Sequence, residues 1–408
     1  MPGGRGRGNM RGNPNRLGPY NRGRGGGRGG HFSGPGRNSV FIPFAPFDLE
    51  HCAVQFPKVT SNEFDSQVGE MILERNKKIT LSEEDSEIMS KIYEEISEVL
   101  GSFYTEPTEM SRLKVKHRSK QEDPQSIDDI RTVGAFANET LIDGVKELEM
   151  LITLRNPMKI DEFGEFSDKL TSALPTYTIS SSEEFASIKV ESLNGFRAHC
   201  FITCSGNKIK TSGESHLQKR IMYKNFDMGK RAKWFSENCV DPNIRLLARI
   251  LSDFRVRFEG FRGMSQWAVE LMAHYSMSSF DESGNQSIMP VPSALKRALM
   301  LLSSGFFLPG SAGIRDPAER DGRSVHQGFS KLDMDNICCA AQTLLRILMQ
   351  GGGRKVFGLE DSAGLLDEMQ VIDDVVIQPS IQCYVHVEEV TPDPPAVAEA
   401  PAPVKMEA

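Results

Sequence analysis

Two glutamates, Glu147 and Glu149, stand two residues apart in the stretch VKELEMLITL. Alternate residues of a β-strand project from the same face, so a strand here would hold both carboxylates side by side. Metal-dependent nucleotidyl transfer needs carboxylates at this spacing, because they bind the Mg²⁺ ions that stabilise the reacting oxygens. Both acids are Glu, one methylene longer than the Asp that such sites use. The spacing therefore leaves this chemistry open without establishing it.

The segment around these acids predicts a strand, a tight turn, a short helix and a returning strand. Residues 126–133 favour a strand, Gly134 breaks that pattern, and residues 135–141 predict a turn of helix. Residues 145–154 predict the returning strand, with an apolar end buried on both faces. Free backbone N–H groups at a helix start attract anions. Gly134 and Ala135 therefore form a candidate triphosphate cradle, although Ala135 lacks a useful hydroxyl.

The stretches VGAFANET and ELEMLITL resemble the nucleotidyltransferase-like half of the family named domain associated with zinc fingers. In active relatives the motif is Gly-Ser, then Asp-x-Asp followed directly by Leu and an apolar run. When Leu148 is matched to that Leu, Glu147 becomes the second acid and Val145 stands at the first. The resemblance then implies a pseudoenzyme, with no catalytic and no metal-binding residue. Glu149 remains available as a substitute ligand.

A third carboxylate of the active superfamily lies on a later strand, which matches FRAHCFITC in this chain. That stretch follows the Asn194-Gly195 turn of a predicted hairpin and contains no acid. At most two of the three carboxylates are therefore left. The resemblance implies no resident cofactor, and residual nucleotide binding stays open because backbone donors survive substitution. The vestigial nucleotide pocket that it implies comprises Gly134, Ala135, Glu147 and Glu149.

The seven cysteines are scattered and form no CxxC pair, which favours reduced thiols in the cytosol or nucleus. His199, Cys200 and Cys204 are close enough in sequence to suggest a metal site. Strand alternation directs His199 away from Cys200, however, and no second pair stands at ligand spacing. Packing within a strand is the favoured interpretation.

The net charge of −7 conceals two oppositely charged regions. Residues 1–38 contain eight Arg and no acid, which leaves −15 for the rest of the chain. This Arg/Gly-rich arm has too few apolar side chains to fold, and it predicts contact with RNA, or with DNA, through phosphates and stacked bases. The alternative is a solubilising tail or a substrate for arginine methylation. The candidate nucleic-acid-binding residues are Arg5, Arg7, Arg11, Arg22, Arg24 and Arg28.

The composition is that of a soluble globular protein with a substantial core. The longest apolar runs are too short to span a bilayer, so no contact with a membrane is expected. The Arg/Gly-rich start also lacks the apolar centre of a secretory signal.

From residue 216 onward the apolar pattern becomes helical, and Asp333 is predicted to cap one of the helices. Several of these helices carry apolar residues outside their main stripe, which need a second surface to bury against. That surface is either the chain's own core or a partner subunit. The residues concerned are Leu246, Ile250, Leu301, Leu344 and Ile347.

The second half of the chain carries the most specific resemblance to the same family, in AKWFSEN, RFEGF, WAVELMAHY, GFFLPGSAGIRDP and AQTLLRIL. The resemblance covers residues 41–384. It implies that this half forms a heterodimer with a related subunit that carries double-stranded-RNA-binding domains.

Together these observations predict an α+β fold, with a nucleotidyltransferase-like mixed sheet and helices, then an all-helical subdomain, and disordered tails. The predicted division is an arm at 1–40, the α/β subdomain at 41–215, the helical dimerisation subdomain at 216–378 and a Pro/Ala/Glu-rich tail at 379–408. The predicted function is that of a non-catalytic, RNA-associated regulatory subunit in transcription and RNA processing, located in the nucleus with shuttling to the cytoplasm. The alternative is an active template-independent nucleotidyltransferase acting on RNA.

Overall fold

The computed structural model describes residues 39–41, 61–103, 127–280, 286–319, 321–382 and 384–386. The six candidate arginines of the arm lie outside the described residues, as does the predicted tail from residue 387 onward.

The helices and strands are numbered separately along the chain, within the described residues. The helices are α1 (Ser61–Ile79), α2 (Glu83–Phe103), α3 (Gly134–Ala137), α4 (Ile160–Ala173), α5 (Gly206–Thr211), α6 (Lys219–Asn238), α7 (Pro242–Arg257), α8 (Gln266–Met277), α9 (Val291–Ser303), α10 (Lys331–Met349) and α11 (Gly353–Val356). The strands are β1 (Ser39–Phe41), β2 (Ile127–Val133), β3 (Glu147–Leu154), β4 (Thr178–Ser182), β5 (Ser187–Glu191), β6 (Arg197–Cys204), β7 (Ser278–Phe280), β8 (Gln286–Ile288), β9 (Gln370–Ile372), β10 (Val375–Ile377) and β11 (Tyr384–His386).

A five-stranded mixed sheet organises the first half, with strand order β2-β3-β6-β5-β4. Strands β3 and β6 are parallel, and the other neighbouring pairs are antiparallel. A parallel pair needs a long crossover, which α4 and the β4–β5 hairpin supply here. The predicted α+β class, a mixed sheet with helices followed by a helical region, is confirmed.

One face of this sheet is mainly apolar. Leu148, Met150 and Ile152 of β3 are buried against α2 and α4, and they alternate along the strand with Glu147 and Glu149. The period of two that predicted the paired glutamates therefore also directs them to the opposite face, toward the helical half.

A second hydrophobic cluster joins α1, α7, α8, α9 and α10. Helix α6 contributes to both clusters, because Met222 near its start packs with the sheet and Phe235 near its end packs with the helices. Helix α1 lies within the predicted α/β range but packs into the helical cluster. The boundary between residues 215 and 216 stays a prediction.

The apolar residues outside the helical stripes lie in the chain's own core. Ile250, Leu344 and Ile347 are all 0% exposed. Leu246 and Leu301 are half-buried and pack against the same cluster. Burial within the chain therefore accounts for Ile250, Leu344 and Ile347, and a partner that covers the exposed parts of Leu246 and Leu301 stays a prediction.

Two predicted details are wrong. Asp333 does not cap α10; Ser330 is the N-cap, and its Oγ accepts from the backbone N–H of Asp333 at 3.0 Å. The carboxylate of Asp333 accepts in return from the N–H of Ser330, which forms a capping box and lets the helix begin earlier. The tail also does not begin at residue 379, because the N–H of Ser380 donates to Thr343 Oγ1 on α10, and β11 pairs with β1.

Within the described part of the chain, no helix is both long and apolar enough to cross a membrane.

Candidate functional site

The predicted cradle forms where β2 turns into α3. Gly134 has a φ of +68°, in the left-handed region that favours glycine, and it starts a helix that ends at Ala137. Ala135 is half-buried, and its backbone oxygen accepts from the N–H groups of Thr140 and Leu141. The helix is shorter than predicted, because the chain turns at Asn138 to direct polar side chains toward α8.

Glu147 lies beside two basic residues of β6. Its carboxylate lies 3.7 Å from His199 Nδ1 and 3.8 Å from Arg197 Nε. The interaction with His199, supported by Arg197, holds the pKa of Glu147 below its ordinary value. This carboxylate is therefore ionised but already paired with side chains of β6.

Glu149 lies directly against the turn at Gly134. A Cβ built on Gly134 would stand 1.8 Å from Glu149 Oε2, so the carboxylate occupies the space that a side chain at that position would need. Burial raises the pKa of Glu149, and His199 is the strongest of the charges that oppose this rise. Glu149 thus differs from Glu147: it is more deeply buried, and its pKa is raised rather than lowered.

The parallel register of β3 and β6 decides what faces these glutamates. Glu147 pairs with Arg197 and Glu149 pairs with His199, so two basic residues lie beside the two acids. Cys200 points to the other face, where its Sγ lies 3.8 Å from Met150 Sδ, as strand alternation predicted. No group of three or more His, Cys, Asp or Glu within the described residues is arranged to hold a metal ion.

A cavity of ≈ 260 Å³ separates this face of the sheet from α6 and α8. Of the four residues of the predicted pocket, Gly134 and Glu149 line the cavity, whereas Ala135 and Glu147 do not. Its other polar walls include Lys224 and Arg231 of α6. The structure therefore brings two of the predicted residues together with side chains from far along the chain.

Glu270 also belongs to this site, although the sequence did not predict it as a site residue. It is 2% exposed and lines the cavity from α8. Its carboxylate accepts from Asn138 Nδ2 at 2.9 Å and from Thr140 Oγ1 at 2.5 Å. Gln266 Nε2 adds a longer contact of 3.5 Å. The available signal was an acid inside the otherwise apolar run WAVELMA, which predicts a buried and hydrogen-bonded carboxyl.

Burial raises the pKa of Glu270 to about 7, although its hydrogen bonds to Thr140, Asn138 and Gln266 oppose that rise. Glu149 adds a smaller electrostatic contribution in the same direction as burial. Through these hydrogen bonds the Glu270 carboxyl holds the turn after α3 against α8. It thereby joins the sheet to the helices.

Arg231 and Trp267 complete the wall of the cavity. The guanidinium of Arg231 lies 5.7 Å from the centroid of the Trp267 ring, and its Nη2 donates to Asp316 at 2.9 Å. Trp267 is buried, and its Nε1 has no hydrogen-bond partner in the described structure. Arg231 is therefore engaged by Asp316 and the indole.

Comparison with protein families finds two matches that together span most of the chain. Residues 34–240 match the DZF N-terminal domain, and residues 243–378 match the DZF C-terminal domain.

Solved structures resemble the chain at low identity. The CdnC:HORMA-deltaN complex of E. coli MS115-1 is 14% identical, with 71% of this chain and 96% of that chain covered and a TM-score of 0.49. The Cid1 poly(U) polymerase with Mg and 3'-dATP is 10% identical, with coverages of 71% and 95% and a TM-score of 0.45. The complex of mtPAP with UTP is 10% identical, with coverages of 81% and 77% and a TM-score of 0.46.

Proposed function

The chain belongs to the DZF family, and from that premise we propose that it is a non-catalytic, RNA-associated regulatory subunit rather than an active nucleotidyltransferase. The alternative, template-independent addition of nucleotides to RNA, requires carboxylates that converge on two divalent ions.

The observation that carries the proposal is the basic face of β6. Arg197 and His199 stand in register with Glu147 and Glu149, at the strand where active enzymes place a further acid. The residues present do not fit a two-metal site, because Glu147 is already paired and a divalent ion would meet the positive charge of Arg197.

The position of Glu149 supports the same proposal. Its carboxylate lies against the Gly134 turn, so it presents negative charge where a triphosphate would approach the start of α3. The negative charges of the Glu149 carboxylate and of a triphosphate at this turn would repel each other strongly in a partly buried site. The proposed role needs no bound nucleotide.

We propose that the chain forms a heterodimer with a related double-stranded-RNA-binding subunit, and that it acts in the nucleus, with shuttling, in transcription and RNA processing. The family resemblance is the basis for this partner, and the arm is the proposed contact with RNA. One surface of the helical half supports an interface. On the β9–β10 hairpin, Val371 and Val376 are cross-strand neighbours that are 61% and 56% exposed, and Met369 beside them is 64% exposed.

Catalysis is tested with labelled nucleoside triphosphates, Mg²⁺ and an RNA primer. We expect no extension of the primer by the purified chain. Template-free addition that Glu147→Gln or Glu149→Gln abolishes would show an active enzyme and end the proposal of a non-catalytic role.

The subunit role is tested by sizing the chain alone and with the related partner. We expect self-association or aggregation alone and a stoichiometric complex with the partner. A Val371→Lys and Val376→Lys variant should lose the complex, whereas the exposed control Leu193→Lys should keep it. A stable monomer that forms no complex with the partner would contradict the proposal.

A further inference from the structure

The start of α6 and the preceding α5 carry a basic surface on an otherwise acidic body. Residues 206–224 contain five cations and a single acid, Glu214. All five cations are exposed. We call this surface the basic ridge, and it consists of Lys208, Lys210, Lys219, Arg220 and Lys224.

Two hydrogen bonds anchor lysines of the ridge. Lys219 Nζ donates to the backbone oxygen of Lys210 at 3.2 Å, which ties the first turn of α6 to α5. Lys208 Nζ donates to Asn156 Oδ1 at 3.1 Å. Arg220 and Lys224 are four residues apart and share one face of α6.

None of the five ridge cations forms an ion pair with a described residue. Further along α6, by contrast, cations do form ion pairs: Lys230 pairs with Asp227, and Lys233 lies 3.8 Å from Glu237. Neighbouring cations without counter-charges repel one another, so their clustering is unfavourable until a polyanion neutralises them. The charge pattern of α6 thus points to a ligand at its start.

An exposed aromatic ring lies beside the ridge. Phe185 is 49% exposed, and its backbone oxygen accepts from Asn225 Nδ2 at 3.2 Å, next to Lys224 in the chain. Phe185 and Lys224 both line the cavity. A cationic surface with an adjacent exposed aromatic ring is suited to single-stranded nucleic acid, whose phosphates and bases need these two kinds of contact. An acidic protein would use the cations but would not require the ring.

We propose that the basic ridge and Phe185 bind single-stranded RNA, as a second nucleic-acid surface distinct from the Arg/Gly-rich arm. Arg220 and Lys224 contact successive phosphates, and a base stacks on Phe185. The exposed acids Glu183 and Glu184 precede Phe185 and pair with neither cation. Their negative charge limits the extent of the RNA-binding surface on that side of Phe185. This binding is independent of the dimer and of the absence of catalysis.

The test uses the full chain with all eight arginines of the arm changed to Gln, so that binding by the body is measured: Arg5, Arg7, Arg11, Arg16, Arg22, Arg24, Arg28 and Arg37. The probe is a fluorescent oligouridylate of about 12 nucleotides, within the usual site size. The ridge variant carries Arg220→Gln and Lys224→Gln. Its matched control carries Lys77→Gln and Lys169→Gln, which removes the same charge from exposed positions on α1 and α4.

We expect the slope of log affinity against log salt to decrease in magnitude by about 1.4 in the ridge variant, since each phosphate contact contributes about 0.7 for single strands. The control should keep its slope. Phe185→Ala should weaken binding about ten-fold without changing the slope, because stacking is not an ionic contact.

Three results would overturn the proposal. They are absence of binding once the arm is substituted, equal slopes for the ridge and control variants, and full affinity in Phe185→Ala. Binding of polyglutamate as tight as that of the oligouridylate would assign the ridge to an acidic protein instead.

Discussion

Two acidic regions lie on either side of the cavity and differ in their surroundings. On the sheet, Glu147 and Glu149 stand at the spacing of a catalytic pair, but β6 surrounds them with Arg197 and His199. On α8, Glu270 is buried and accepts hydrogen bonds from the turn after α3. The comparison shows that spacing in the sequence identifies candidate chemistry, whereas burial and partners decide whether an acid reacts or holds the fold together.

The turn on which Glu270 acts is fixed from a second side. Glu139 has a φ of +57°, its backbone oxygen accepts from Arg249 Nη1 at 2.8 Å, and its carboxylate pairs with Arg245 at 2.9 Å. Helices α7 and α8 therefore both hold this turn, which is a junction between the sheet and the helices.

The largest expected effect comes from removing the buried acid. Glu270→Ala should lower the free energy of unfolding by about 4 kcal/mol, because it leaves Asn138, Thr140 and Gln266 without their acceptor and opens a cavity. Urea denaturation at pH 6 measures this change. Glu270→Gln, which keeps an acceptor, should cost about 1 kcal/mol, and Glu147→Ala on the sheet should change stability by less than about 1 kcal/mol. Equal losses for Glu270→Ala and Glu147→Ala would remove the distinction between the two regions.

The raised pKa of Glu270 predicts a dependence of stability on pH. The folded protein keeps this proton up to about pH 7, whereas an ordinary glutamate releases it near pH 4.5. Between these values the folded state binds more protons, so stability should fall as pH rises, by on the order of 3 kcal/mol from this group. The difference in unfolding free energy between the native chain and Glu270→Gln should therefore change across this window. A difference that is constant from pH 4.5 to pH 8 would contradict the assignment.

The smallest expected effect concerns the cradle on the sheet side. Gly134→Ala should cost about 2 kcal/mol, because a non-glycine residue is strained at this φ and its Cβ would displace the Glu149 carboxylate. In a Glu149→Ala background the same change should cost only about 1 kcal/mol, since the collision is gone. A double-mutant cycle measures this coupling. Additive effects would show that Glu149 does not occupy the cradle.

The sequence predicted much of the local structure, for reasons visible in single elements. The period of two in ELEMLITL placed both glutamates on one face, and in the structure Leu148 and Met150 are buried on the other. Ser82 and Asp85 stand at the spacing of a capping box before α2, and the Oγ of Ser82 accepts from the N–H of Asp85 at 3.1 Å. These features depend on neighbours within a few residues, which a sequence displays directly.

Other features could not be predicted because they depend on long-range contacts. The hydrogen bonds that Glu270 accepts from Asn138 and Thr140 join residues 130 or more positions apart, and no local period contains that information.

By itself the sequence determined the α+β class, the two carboxylates on one strand face and the absence of an acid from β6, since each follows from residue type and local periodicity. Only the tertiary structure decided that Arg197 and His199 face those carboxylates and that Glu270 is buried beside the cradle. The physical reason is that strand register and helix packing are set by the burial of apolar surface over the whole domain. The partners of a polar group follow from that packing.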